Sequence, residues 1–174
     1  DVFIGDPARL MVLGSHDMFD LPQGVAVGPD GVIYVADTNA DRIAVFSATG
    51  TRIAAFGGHA KDDDDDKAPA STGTLRLNKP RSVAVGTDGS VYVADTENHR
   101  VLKLSATGQV LLQAGRQHDT KDKGHEAPGT RPGRGPGEFK EPSGIAVDGT
   151  GRIYVSDTGN PRVQVLSSTG GVVL

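Results

Sequence analysis

The sequence predicts an all-β protein built from repeated four-stranded modules, and three observations lead to this prediction. First, a similar segment occurs three times, at 21–57, 78–115 and 140–174. Second, short β-branched runs alternate with glycine-rich turns, and no helical periodicity is present. Third, four landmark residues recur without a gap in every copy: Pro22, Pro80 and Pro142; Asp37, Asp95 and Asp157; Arg42, Arg100 and Arg162; Gly50, Gly108 and Gly170. Four-stranded modules repeated along a chain are typical of the blades of a β-propeller.

Each copy contains four short strands. β-Branched and aromatic residues favour the extended backbone, and glycine, proline, asparagine and aspartate favour the turns between them. The turn sequences in the first copy are GPDG, TNAD and SATG. The predicted strands of this copy are Val25–Val27, Val32–Ala36, Arg42–Phe46 and Arg52–Phe56.

The two ends of the chain fit the same template. Residues 1–14 align with the last two strands of a blade, and Val172–Leu174 begin a fourth strand. We therefore expect three blades, at 21–57, 79–115 and 141–174, and part of a fourth, with an acidic insert at 58–78 and a Gly/Pro/basic insert at 116–140. Closed propellers have about four to eight blades. The chain is then a portion of a larger ring, a small ring that closes unusually, or one of two chains that combine.

Composition excludes several kinds of chemistry. The chain has no cysteine, which excludes disulfides, thiol catalysis and cysteine-ligated zinc. Its net charge of −4 argues against nucleic acid or an anionic membrane as the main partner. No apolar run approaches the roughly 20 residues of a membrane span.

The motifs resemble those of the NHL-repeat family. Each copy contains Pro-x-x-hydrophobic-Ala-Val, then a glycine turn followed by hydrophobic-Tyr-Val-Ala/Ser-Asp-Thr, then Arg-hydrophobic, and Gly135–Phe139 resembles the lead-in to a repeat of that family. The resemblance covers the chain apart from the two inserts. It implies a propeller, commonly six-bladed, that acts as an interaction module; a minority of the family are enzymes or bind RNA.

One end of the predicted propeller is the better candidate for binding. The turns after the second strand differ between copies and lie at the same end as the long connections between blades, whereas the other turns are nearly interchangeable. Binding residues are commonly found on loops that a rigid scaffold holds. The candidate partner-binding residues are Asn39, Asp41, Glu97, Asn98, His99 and Asn160.

The recurring charged residues are interpreted as structural. Asp37, Asp95 and Asp157 flank the same turn as Arg42, Arg100 and Arg162, at one spacing in every copy. Aspartate accepts hydrogen bonds from turn amides, and arginine pairs with it across a hairpin. The five histidines do not recur at equivalent positions, so the sequence predicts neither a metal site nor a cofactor.

Both inserts are expected to be solvated loops. Lys61–Lys67 contains five adjacent aspartates, Asp62–Asp66, without the spacing and glycine of an EF-hand loop. The segment 63–67 also resembles an enteropeptidase cleavage sequence, so an engineered origin is an alternative. The second insert is basic but lacks the aromatic residues that stack on bases.

The sequence favours a non-catalytic scaffold that presents its loop-rich face to a protein, peptide or glycan partner. Self-association is a further possibility, as is completion of the ring by other blades. Two alternatives follow from the resemblance: an amidating lyase and an RNA-binding domain. The lyases place a zinc-binding histidine in a Leu-Pro-His-Gly context, where this chain has Gln23, and Arg81 and Ser143 occupy the same position in the later copies.

Overall fold

The computed structural model describes residues 13, 18–58, 75–116 and 131–173. Within these ranges the chain forms short β-strands and one 3₁₀ turn, Thr96–Asn98. The strands are β1 Pro22–Val27, β2 Ile33–Asp37, β3 Arg42–Phe46, β4 Arg52–Gly57, β5 Pro80–Val85, β6 Val91–Asp95, β7 Arg100–Leu104, β8 Val110–Gly115, β9 Pro142–Val147, β10 Ile153–Asp157 and β11 Arg162–Leu166.

The strands form three separate antiparallel sheets in the described residues. Strands β1 to β4 form the first blade and β5 to β8 the second, each paired in sequence order. Strands β9 to β11 form the third blade, and an isolated bridge between Leu166 and Val172 lies where the fourth strand of the other blades begins. The prediction of an all-β chain of four-stranded blades is confirmed.

The blades pack side by side with their first strands at the centre. Strand β1 lies beside β5, and β5 lies beside β9, whereas β4 and β8 lie on the outside. The backbones of β1 and β5 approach so closely that a Cβ atom at Gly24 would lie 2.8 Å from the carbonyl oxygen of Arg81. A larger side chain at position 24 would push these two blades apart.

The hydrophobic core lies between the blades. Tyr34 and Phe56 of the first blade pack with Val91 and Leu102 of the second in one buried cluster. A second cluster joins the second and third blades in the same way. A third cluster, of Ile33, Val35, Ala44 and Phe46, lies in the first blade. In each blade one apolar residue, at the same distance before the first strand, packs into one of these clusters; these residues are Phe19, Leu77 and Phe139. A single blade leaves such faces exposed, so the repeats stabilise one another.

Some strand bounds differ from the prediction. The first strand of the first copy begins at Pro22 rather than Val25, because its opening residues also pair with β2. Val32 belongs to the preceding turn, and β2 continues to Asp37. Most of the predicted partial blade at 1–14 and most of both inserts lie outside the described residues.

Candidate functional site

The two ends of each blade differ in the turns and strand ends that lie there. We define the loop-rich end by the β2–β3, β6–β7 and β10–β11 turns together with the beginnings of β1, β5 and β9. In the first blade the amide of Thr38 donates to the carbonyl of Leu21 at 3.3 Å, and the amide of Gly58 donates to that of Asp41 at 2.8 Å. The turn, the entrance to β1 and the exit from β4 therefore lie together. The opposite, short-turn end contains only tight turns such as 28–31 and 47–50.

An aspartate–arginine pair organises the loop-rich end of every blade. The arginine Nε donates to the aspartate Oδ2 at 2.8 Å in Asp37–Arg42, at 2.7 Å in Asp95–Arg100 and at 2.8 Å in Asp157–Arg162. The other carboxylate oxygen accepts a backbone N–H from the chain that leads into the blade, contributed by Asp20, Asn78 and Lys140 in turn. These aspartates therefore hold the connection between blades, as a structural role requires.

Burial sets the electrostatics of these pairs. All three aspartate side chains are fully buried. Desolvation raises the pKa of Asp37 and of Asp95 above the ordinary value, and the hydrogen bonds and the arginine charge offset part of that effect. Further guanidinium hydrogens bond within the protein: Arg42 Nη2 donates to the carbonyl of Met18, and Arg100 donates to the carbonyl of Arg76 and to Gln113 Oε1. The pairs are thus enclosed by the chain and leave few groups for a ligand.

Two of the candidate binding residues join neighbouring blades. Asp41 and His99 occupy the same position in their turns, and both have a positive φ of 52°. Asp41 Oδ1 accepts the amide of Lys79 at 2.7 Å, and His99 Nδ1 accepts the amide of Glu141 at 3.1 Å. The side chain at this position therefore links one blade to the next. In the third blade it is Pro161, which has no acceptor on its side chain.

Asn98 and Asn160 also bond within their own blades. The Asn98 amide donates to Asp95 Oδ2 at 2.9 Å and to the carbonyl of Arg76 at 3.3 Å. The Asn160 amide donates to Asp157 Oδ2 and to the carbonyl of Gly133. Each side-chain amide therefore donates to two acceptors of the protein itself.

Asn39 and Glu97 occupy equivalent positions in their turns, and both are at least partly exposed. Asn39 is exposed; its side-chain amide donates to the exposed carboxylate of Asp20 at 3.1 Å, and its backbone amide donates to the carbonyl of the same residue at 3.0 Å. Glu97 is partly exposed, and its backbone amide donates to the carbonyl of Asn78. Of the six candidates, these two can change without breaking a side-chain bond that links neighbouring blades or that reaches the aspartate–arginine pair. A binding role for any of the six stays a prediction.

The structure adds a second set of candidates at the same end, the β-bulges of the three innermost strands. The pairing register shifts between Pro22 and Gly24, and likewise in β5 and β9, which leaves one residue per strand without a cross-strand partner. The bulged residues are Gln23, Arg81 and Ser143. Bulges often re-aim a side chain near a functional site. The sequence shows that these positions differ between copies, but a bulge becomes visible only once the pairing is known.

The part of the chain that the structure describes contains neither a cluster of metal-ligating side chains nor a long apolar helix. No group of three or more His, Asp or Glu side chains converges there as a metal site would require. No helix in those residues is long and apolar enough to cross a membrane.

Comparison with known proteins agrees with this architecture. A protein of Arabidopsis thaliana, SUPPRESSOR OF QUENCHING 1, chloroplastic, is 28% identical over 98% of this chain, which spans 16% of that protein. The probable peptidyl-alpha-hydroxyglycine alpha-amidating lyase pgal-1 of Caenorhabditis elegans is 25% identical over 87% of this chain, which spans 38% of the lyase. The solved structure of streptogramin B lyase aligns with 87% of this chain and 39% of its own, with a TM-score of 0.54 at 16% identity, which shows a common fold.

The family model of the NHL repeat matches this chain three times, at residues 19–46, 77–104 and 139–166. Each match begins at the apolar residue that precedes a first strand and ends with the third strand of the same blade. The matches therefore follow the blades of the structure, and the chain belongs to the NHL-repeat family.

Proposed function

We propose that the chain is a non-catalytic interaction scaffold, whose loop-rich end binds a peptide segment of a partner protein. One observation carries the proposal: a repeated frame of buried aspartate–arginine pairs holds turns whose outward side chains differ from blade to blade. Asn39 and Glu97 occupy equivalent positions on that frame but differ in charge. The residues beneath them are nearly identical in structure.

The contrast between the two ends supports the choice of face. At the short-turn end, the first blade closes with a Ser47–Thr49 hydroxyl contact of 2.9 Å and the second with a Ser105–Thr107 contact of the same length. Such turns repeat one backbone geometry and offer the same groups in each blade. The loop-rich end offers different groups in each blade, which is what recognition of a particular partner needs.

The test selects peptide ligands on the whole chain and then maps their dependence on the two ends. A random-peptide display library is panned against the protein, and the affinities of the selected peptides are measured for N39A/E97A and for the matched control T49A/T107A. The proposal predicts that only N39A/E97A weakens binding, by about tenfold, while both variants unfold as the parent does. Loss of binding in T49A/T107A alone would contradict the choice of face.

A second candidate is an amidating-lyase type of enzyme, and its support is the similarity to pgal-1. The bulged positions would be the place for ligands, but within the described blades they carry glutamine, arginine and serine. Only the serine and the arginine have groups suited to acid–base or anion chemistry, and none is an ordinary zinc ligand. Incubation of the protein with zinc and a peptidyl-α-hydroxyglycine substrate tests this candidate, and turnover that a chelator abolishes would favour it over the scaffold.

A further inference from the structure

We propose that Arg81 binds a carboxylate group of an acidic peptide segment at the loop-rich end. The proposal rests on the proposed function, because it names the chemistry of the partner at the same end of the blades. It concerns a residue that has no part in the aspartate–arginine frame.

Arg81 lies at the bulge of β5, in the middle of the three innermost strands. It is the bulged residue of β5, so it interrupts the pairing of β5 with β6 between Pro80 and Ser82. Strand β5 lies between β1 and β9, which places Arg81 between the bulges of Gln23 and Ser143. The close approach of β1 at Gly24 fixes the backbone of Arg81 in this central place. A bulge in the innermost strand thus presents a cation at the middle of the loop-rich end.

An unsatisfied donor is the second argument. The Nε atom of Arg81 is buried and has no hydrogen-bond partner in the described residues. The residue as a whole is partly exposed, so Arg81 lies near the surface of the loop-rich end. Buried donors in folded proteins are nearly always bonded, and a rare exception points to a missing partner. The partner of this N–H comes from outside the blades.

The chemistry of that partner follows from the three arginines of the aspartate–arginine frame. Arg42, Arg100 and Arg162 each donate their Nε hydrogen to a carboxylate oxygen at 2.7 to 2.8 Å. Arg81 has the same donor, but its Nε hydrogen bonds no carboxylate in the described part of the chain. A planar carboxylate fits the fork of a guanidinium.

Local charge favours a singly charged group over a phosphate. The bulges on either side of Arg81 carry a neutral amide, at Gln23, and a neutral hydroxyl, at Ser143. Of the residues that precede the three prolines, Lys79 is positive and Glu141 is negative, so their charges cancel. Among these residues and Arg81 the net charge is +1, which matches one carboxylate, whereas phosphate sites usually combine several donors and charges.

The experiment follows the Nε–Hε signal of Arg81 by NMR in the full chain labelled with ¹⁵N. The signal is assigned from its loss in R81Q. The probe is a short blocked peptide of alternating glycine and glutamate, and the same peptide with glutamine replaces it as the uncharged control. R152Q is the matched variant, since Arg152 is an exposed arginine at the short-turn end.

We expect the glutamate peptide to shift the Arg81 signal in a saturable way and the glutamine peptide to leave it unchanged. Affinity should fall by about tenfold or more in R81Q, fall in R81K because the fork is lost, and stay unchanged in R152Q. An unmoved Arg81 signal, or equal affinity in R81Q, would overturn the proposal. Tighter binding of inorganic phosphate at this signal would overturn the assignment to a carboxylate.

The same variants separate this proposal from the proposed function. If display-selected peptides lose affinity in N39A/E97A but not in R81Q, the scaffold stands and the role of Arg81 is wrong. If the glutamate peptide binds through Arg81 while no selected peptide depends on Asn39 or Glu97, the carboxylate site stands and the wider binding face is wrong.

Discussion

At the scale of single residues, the charges that organise each blade are buried as aspartate–arginine pairs. Asp95 is fully buried, and the side chain of Arg100 is only 7% exposed. Burying one charge without its partner costs far more than burying both, because the lone charge loses water and gains nothing. The aspartate–arginine frame is therefore a structural requirement that repeats with the blade.

Replacement of Arg100 by methionine tests this frame. R100M leaves the Asp95 carboxylate buried without its cation, and we expect the free energy of unfolding at neutral pH to fall by about 3–5 kcal/mol. The pKa of Asp95 is already raised by burial and should rise further, so the folded state takes up a proton more readily than the unfolded chain. The deficit should therefore shrink as the pH falls toward 4.

Urea unfolding of R100M between pH 4 and pH 7 measures both effects, with the exposed Arg152 changed to methionine as the control. A deficit that is the same at every pH would contradict the argument. So would an R152M protein that is destabilised as much as R100M.

The pKa of Asp148 is shifted in the opposite direction, below its ordinary value. It accepts hydrogen bonds from Thr150, Arg152 and Tyr154, and the Thr150 hydroxyl contributes most to lowering its pKa to about 2. A lowered pKa stabilises the fold above the ordinary aspartate value of 3.8, and this contribution is lost as the pH falls toward 2. T150V should move the pKa of Asp148 back toward 3.8 by more than Y154F does. Carboxyl NMR titration measures it, and an unchanged pKa in T150V would refute the assignment.

At the scale of elements, each tight turn after a first strand carries one carboxylate, but its position is not constant. In the first two blades glycine opens the turn and the third residue is Asp30 or Asp88, whereas in the third blade Asp148 opens it and Thr150 is third. A Cβ atom at Gly86 would lie 2.8 Å from Asp88 Oδ1. The glycine at the first position makes room for the aspartate at the third. In the third blade both positions differ together, with aspartate first and threonine third.

This exchange predicts a rescue. G86D alone places two carboxylates in one turn and crowds Tyr92, whose Cε2 lies 3.2 Å from the added Cβ, so we expect a loss of about 1–3 kcal/mol. The double variant G86D/D88T copies the third blade and should recover most of that loss. Thermal or urea unfolding of both variants measures how much stability is recovered. A double variant as unstable as the single one would show that the turns are not interchangeable.

The sequence predicts these elements well where local chemistry determines them. The strands Arg42–Phe46 and their partners follow from β-branched residues between turn residues, and the aspartate–arginine pairs follow from their fixed spacing across a hairpin. The bulges at Gln23, Arg81 and Ser143 could not be predicted, since they depend on which residues pair across strands. The hydrogen bond between His99 and Glu141 joins two residues that are 42 positions apart in the sequence. It depends on how the blades pack, which no local pattern encodes.

At the scale of the whole molecule, the faces between blades decide what the chain can associate with. Ile43 and Val101 occupy equivalent positions in β3 and β7 and are both 0% exposed, because the next blade covers them. Val163 occupies the same position in the third blade and is 63% exposed. The third blade thus presents an apolar face of the kind that elsewhere in the molecule receives another blade.

This face predicts self-association of the chain. We expect the solution mass of the parent protein to rise with concentration and that of V163K to stay closer to about 18 kDa, the mass of one chain. The stability of the single chain should change little in V163K, whereas V101T should cost about 1–3 kcal/mol because it buries a hydroxyl. Light scattering on a size-exclusion column measures the mass, and equal masses for parent and V163K would show that this face takes no part.

The central claim is that the repeated frame determines the shape, while the unrepeated residues of the loop-rich end determine binding. Amide chemical-shift mapping of the full chain with a display-selected peptide tests it most directly. We expect shifts at Asn39, at Glu97 and at the beginnings of β1, β5 and β9, with the short turns at 28–31, 47–50 and 86–89 unmoved. Shifts confined to those short turns would contradict it.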